Sequence, residues 1–185
     1  MNKFFLLAFL SLAPAACNQP SDQETRTTPK PYFDLNGFFE DQIRTLQTQS
    51  PEITKRIEIG GEVEEKTLRS VDFQKELKIF QRFDINKPAW LDQYAIDSTL
   101  TGGTLTGLRY TAKKDKLKTR EINIEFEGGS VSKIKIFNQV NTPSLDLSQE
   151  LRYTPGKSYF IDNRQRLAFS KEKRILITAS FPGSF

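Results

Sequence analysis

Residues Lys118–Asn138, KTREINIEFEGGSVSKIKIFN, decide how this chain folds. Ile122, Ile124 and Phe126 alternate with polar residues, the period of a half-buried strand. Ile134 and Ile136 repeat the pattern beyond a glycine pair. For these side chains to share one face, Ile122 must oppose Ile136, Ile124 must oppose Ile134, and Phe126 must oppose Ser132. That parity predicts an odd loop, Gly128-Gly129-Ser130. A bare two-residue turn would set Lys133 against Ile124 and turn the wrong face inward. On the other face Glu125 meets Lys133. The hairpin thus has one dry face and one wet face.

The same period extends both ways. Strands are predicted at Asp92–Ser98, Leu105–Ala112, Lys118–Glu127, Val131–Asn138, Leu145–Thr154, Ser158–Leu167 and Arg174–Phe181. Turn chemistry separates them: Gly102-Gly103, Lys113 to Lys116, Asn141-Thr142-Pro143, Pro155-Gly156 and Ser170 to Lys173. Consecutive strands with short turns give an antiparallel meander. Upstream, Ile53, Ile57 and Ile59 alternate, Gly60-Gly61 turns, and Glu62–Leu68 returns as a polar strand.

Two stretches carry the helical period instead. Leu35, Phe38, Phe39, Ile43 and Leu46 form one stripe, capped by Asp34 and stopped before Pro51. Phe73, Leu77, Phe80 and Phe83 form the other, capped by Ser70 or Asp72. The predicted class is α+β: a curled antiparallel meander of seven to nine strands against two short amphipathic helices. The curl follows from size. Seven strands spaced about 4.8 Å apart span about 35 Å, whereas two helices about 10 Å across cover about 20 Å. A flat sheet would leave a bare apolar strip, so it must wrap the helices. Such a wrap fits either a filled core or a cavity.

Composition excludes several chemistries. The chain has no histidine and one cysteine. Ser-His-Asp and Cys-His catalysis and the usual zinc sites are out. A formal charge of +4, evenly spread, gives no case for nucleic acid. We expect no cofactor, no metal and no catalytic residue.

The first seventeen residues set the location. Lys3 precedes the apolar run Phe4 to Leu12, and small Ala15 and Ala16 precede Cys17. This is a signal-peptide layout, too short for a membrane span of about 20 residues. Its end resembles the bacterial lipobox, with Pro14 where an aliphatic residue is usual. The resemblance implies acylation of Cys17, and Asn18 rather than Asp behind it implies the outer membrane. Residues 1–16 would be the signal peptide. Residues 17–31, polar and proline-rich, read as a disordered tether, and 32–185 as one domain.

Other motifs reduce to surface or core. Asp84-Ile85-Asn86 begins like a calcium loop, but Lys87-Pro88 follows where an oxygen ligand and glycine are needed. Gly102 to Gly107 lacks the lysine and the strand-to-helix setting of a phosphate loop. Glu121, Glu125 and Glu127 lie on the wet face of the hairpin. Lys113, Lys114, Lys116, Lys118 and Arg120 form a dense basic run, a solvated turn or a contact for anionic lipid. Trp90, Tyr94, Tyr110 and Tyr153 are either core aromatics or the lining of a pocket. Strand alternation would also suit a transmembrane barrel, but the two helices argue against it.

Tyr32–Phe39, Asp84–Trp90 and Leu108–Lys113 resemble a group of small lipoproteins of Bacteroidota to which no activity is attached. The architecture is similar to the half-barrel folds that carry lipoproteins to the outer membrane. The expected function is that of a non-enzymatic, membrane-anchored envelope lipoprotein binding an apolar ligand or lipid. The alternative is a structural or adaptor subunit of an envelope complex. Expected partners are the membrane, through acylated Cys17, and an apolar ligand or an envelope protein.

Overall fold

A computed structural model describes residues 30–181. Cys17, the signal peptide and the tether up to residue 29 lie outside the described residues. The element order is α1 (Leu35–Gln49), β1 (Ile53–Ile59), β2 (Glu62–Leu68), α2 (Phe73–Gln81), a single 3-10 turn at Pro88–Trp90, then β3 (Tyr94–Thr101), β4 (Thr104–Ala112), β5 (Thr119–Glu127), β6 (Ser130–Thr142), β7 (Leu145–Thr154), β8 (Ser158–Leu167) and β9 (Lys173–Ser180).

All nine strands join one antiparallel sheet in the order β2-β1-β9-β8-β7-β6-β5-β4-β3. The meander β3 to β9 runs in sequence, and the early hairpin β1–β2 adds beside β9. Both helices pack on one face. Tyr32, just before α1, sits edge-on to Tyr94 and Tyr110 of β3 and β4. Glu76 of α2 pairs with Lys55 of β1 at 2.8 Å. A flat nine-stranded sheet would place those strands more than about 30 Å apart, while α1 is only about 22 Å long. The helices reach both ends because the sheet curls around them.

The caps follow the sequence. The Asp34 carboxylate accepts from Gly37 N–H at 3.0 Å and Asp72 accepts from Lys75 N–H at 3.1 Å. A β-carbon at Gly37 would stand 2.5 Å from the Asp34 carboxylate, so a larger residue there would have to displace the cap. Ser50, in the left-handed conformation, returns its N–H to the Leu46 carbonyl and ends α1.

The hairpin register holds through its body: Ile122 opposes Ile136, Ile124 opposes Ile134, and Glu125 opposes Lys133. Its turn differs from the expected one. Gly128 and Gly129, with φ of 58° and 80°, make a two-residue turn, so that Glu127 pairs with Ser130 and Phe126 with Val131. Both central residues need positive φ, which glycine supplies without strain and which matches the twist of the strands. The odd residue is absorbed one step later, as a bulge at Ser132. Parity demands one extra residue, and it lies in the strand at Ser132 and not in the loop at Ser130.

The core centres on Phe39, Phe80 and Tyr153, each fully buried, with Ile134, Leu151 and Leu77 around them. A polar clamp ties the start of α1 to the connection leaving α2. Asn86 accepts from Tyr32 N–H at 3.1 Å and donates to Phe33 O at 2.9 Å. Asp84, itself buried, accepts from Asn36 at 2.8 Å and from Asn86 N–H at 3.1 Å. This is the Asp84-Ile85-Asn86 segment, used as a backbone splint. Asn86→Ala is expected to cost about 2 kcal/mol, because it strands a part-buried N–H and C=O. Urea unfolding would measure it.

Candidate functional site

The helices do not cover the whole inner face of the sheet. Beyond the C-terminal end of α2, a groove of about 670 Å³ remains open. Its walls are Ile79 and Phe83 from α2 and its exit, Trp90 from the 3-10 turn, and Leu117 before β5. Its floor is the outer part of β6 and β7, where Val140 pairs with Leu147 and Thr142 with Leu145. This floor exists because β6 runs on to Thr142, past the expected end at Asn138. The Asn-Thr-Pro signal placed the turn too early; the turn is Pro143-Ser144.

One row inward the floor becomes polar. Thr119, Asn138, Gln149 and Asn163 stand in register across β5 to β8. Asn138 donates to Gln149 at 2.9 Å and is almost fully buried. This row divides the sealed core from the open groove; Asn138 and Gln149 bond each other, while the buried Asn163 Oδ1 has no partner among the described residues.

The rim is cationic. Arg82, Lys87, Lys116 and Lys118 are exposed and line it. Among the described residues, no carboxylate lines this groove. Lys87 lies over the Trp90 ring, its Nζ 4.1 Å from the centroid, a cation–π contact that orients both. Trp90 is further fixed by its carbonyl, which accepts from Tyr32 O–H at 3.2 Å.

The basic run therefore divides by role. Lys116 and Lys118 enter the groove rim. Lys113 donates to the Asp92 carbonyl at 3.0 Å, joining the loop to the start of β3. Arg120 is a bulged residue of β5 and holds the loop together, donating to Lys114 O at 2.9 Å and to Asp115 at 2.8 Å. The Lys114 side chain is exposed away from the groove lining.

The aromatic set divides too. Trp90 lines the groove, and the three tyrosines are core residues, each 3% exposed or less. Tyr94 donates to Thr119 O at 2.9 Å, Tyr153 donates to Gln42 at 3.0 Å, and Tyr110 accepts from Phe33 N–H at 3.0 Å. Burial pushes the Tyr94 phenol up to about 12 and raises those of Tyr110 and Tyr153, so all three stay protonated. Arg82, Lys87, Val140 and Leu147 were not singled out by sequence. Lys87 beside Trp90 was the available signal; Arg82 and Val140 reach the site only through the fold.

One other polar cluster lies under α2. Glu76 accepts from Lys55 at 2.8 Å and from the Tyr159 phenol. Burial and the Glu76 carboxylate hold Tyr159 far above its ordinary value, so the phenol is a fixed donor rather than a base. The cluster pins α2 to β1 and β8. Among the described residues, no group of three or more His, Cys, Asp or Glu is placed to hold a metal ion. No described helix is long and apolar enough to cross a membrane. Comparison with protein-family models, curated proteins and solved structures gives no match.

Proposed function

We propose that this protein is a non-enzymatic envelope lipoprotein, anchored through an acylated Cys17 at the outer membrane, whose domain binds an apolar or lipid-like ligand in the groove. The observation that carries the reading is the groove itself. It offers about 670 Å³ over an apolar floor, within the range of about 300–1,000 Å³ typical of small-molecule sites. Val140, Leu145 and Leu147 of that floor are only partly buried and so remain open to a ligand.

The test is displacement of a neutral naphthylamine dye by hydrocarbon ligands. The double variant Val140→Ser with Leu147→Ser should weaken dye binding about tenfold or more, since each lost apolar contact contributes about 1 kcal/mol. Both positions lie outside the sealed core, so melting should fall by only a few degrees. Unchanged binding by the double variant would remove the groove as the ligand site.

A second reading, an adaptor subunit, draws on the β3 edge. Ile96 and Leu100 are 52% and 63% exposed there, and Asp97 is the one charge in the strand. The opposite edge, β2, carries Glu62, Glu64, Glu65 and Lys66, the charges that discourage strand addition. A partner strand would join at β3.

A further inference from the structure

We propose that the groove selects a single-chain anionic amphiphile, a long-chain carboxylate whose head sits among Arg82, Lys87, Lys116 and Lys118 while its chain lies over Val140 and Leu147. This rests on the groove being the ligand site and adds what the ligand must carry.

Many cations elsewhere on this surface have a carboxylate partner, although Lys78, Arg109, Lys113, Lys114, Lys157, Lys171 and Lys173 have none among the described residues. Glu125 sits between Lys133 at 3.6 Å and Lys135 at 2.9 Å. Asp162 takes Arg174 at 2.7 Å and Arg164 at 3.0 Å. Three other surface hollows each include carboxylates: Asp97 and Glu125, Asp146 and Glu172, Glu125 and Glu127. Among the described residues the groove has four cations and no carboxylate. None of the four makes an ion pair with any described residue, and Lys87 has only the Trp90 ring. Two come from the α2–β3 connection and two from the loop before β5, segments that the fold brings to one rim. Converging like charges repel one another, and an anion seated among them relieves that repulsion.

The apolar floor then says what the anion must be attached to. A small inorganic anion would leave Val140, Leu147 and Leu145 bare. A nucleic-acid backbone is held by polar contacts to phosphate and sugar and has no use for an aliphatic floor. At about 30 Å³ for each water-sized group, the volume holds about 20 such groups, one hydrocarbon chain and not two. The polar row of Asn138 and Gln149 stops the chain at the inner end.

Trp90 is the only tryptophan in the chain and lines the groove, so its fluorescence reports occupancy. The purified protein is titrated with hexadecanoate, hexadecanol and hexadecyltrimethylammonium below their aggregation concentrations. Phosphatidylglycerol vesicles form a separate arm. Hexadecanoate should shift the Trp90 emission to the blue and bind most tightly, and 0.5 M salt should weaken it but not the alcohol. Lys116→Gln with Lys118→Gln should lower hexadecanoate affinity about five- to twentyfold, each exposed charge contact being modest, and leave hexadecanol unchanged. Equal binding of acid and alcohol, or no effect of the double variant, would overturn the charge selection while leaving the groove as an apolar site. Response to vesicles alone would overturn it in favour of membrane docking. No response to any chain would overturn both this inference and the ligand-binding reading beneath it.

Discussion

Phe80→Ala is expected to destabilise the domain by about 3–5 kcal/mol, against a total stability of about 5–15 for a domain of this size. Phe80 is fully buried at the point where both helices meet the sheet. Its ring stacks on Phe39 of α1 at 4.9 Å and 18°, and lies 5.7 Å from Tyr153 and 6.1 Å from Tyr159. Two of the three neighbouring rings are held by groups outside α2, and the third is tied to Glu76 of α2 itself. Tyr153 is bonded to Gln42, Tyr159 to Glu76, and Phe39 sits inside α1. The site therefore cannot collapse to fill the hole, and the cavity cost adds to the lost burial. Ile79 and Phe83, the groove walls, flank Phe80 on the same segment, so dye binding should fall together with stability. Urea unfolding measures the first and dye titration the second. A loss under about 1 kcal/mol would mean that α2 is not anchored where the structure puts it.

Ile124→Ala should cost about 2–5 kcal/mol and Lys133→Ala under about 1. Ile124 is 1% exposed and faces Ile134, which is fully buried, across the β5–β6 ladder. Lys133 reaches Glu125 at 3.6 Å on the wet face, with both side chains at least two-fifths exposed, a screened contact that contributes little. A slip of one residue would exchange the two sets, sending Lys133 and Lys135 inward and Ile134 and Ile136 into water. An unpaired buried ammonium costs several kcal/mol, so the slipped form is negligible. Costs in the reverse order would show that the sheet faces the other way.

This hairpin also shows what the sequence could carry. Period-two alternation and parity determine which side chains share a face, because burying one face constrains every residue of the strand. They do not say where an extra residue is absorbed. Ser132 in a bulge and Ser130 in a loop satisfy the same parity, and only the twist of the glycine pair chooses between them. The end of β6 was missed for a related reason. Asn141-Thr142-Pro143 is strong turn chemistry, yet pairing continues through Thr142 because Val140 and Leu147 face each other. Asp34 and Asp72 were legible as caps because capping is local. The groove was half legible. In the sequence Trp90 and the lysines of the basic run stand apart, one as an aromatic and the others as charge. That Lys116 and Lys118 meet Arg82 and Lys87 over the β6–β7 floor depends on a curled sheet bringing residues more than twenty-five positions apart to one rim. Tyr94, Tyr110 and Tyr153 were ambiguous in sequence because a buried phenol and a pocket phenol use the same residue type. Their neighbours, three-dimensional ones, make them core.

A groove that binds ligand should hold a molecule with a hydrocarbon chain when the protein is taken from its membrane. Native mass spectrometry of the protein isolated from membranes, followed by solvent extraction of whatever it releases, tests this most directly. The expected result is one released single-chain amphiphile per domain, bearing an acidic head and absent from the Val140→Ser, Leu147→Ser variant. A domain that carries no releasable lipid, and travels instead with a protein partner that Leu100→Lys removes, would contradict it.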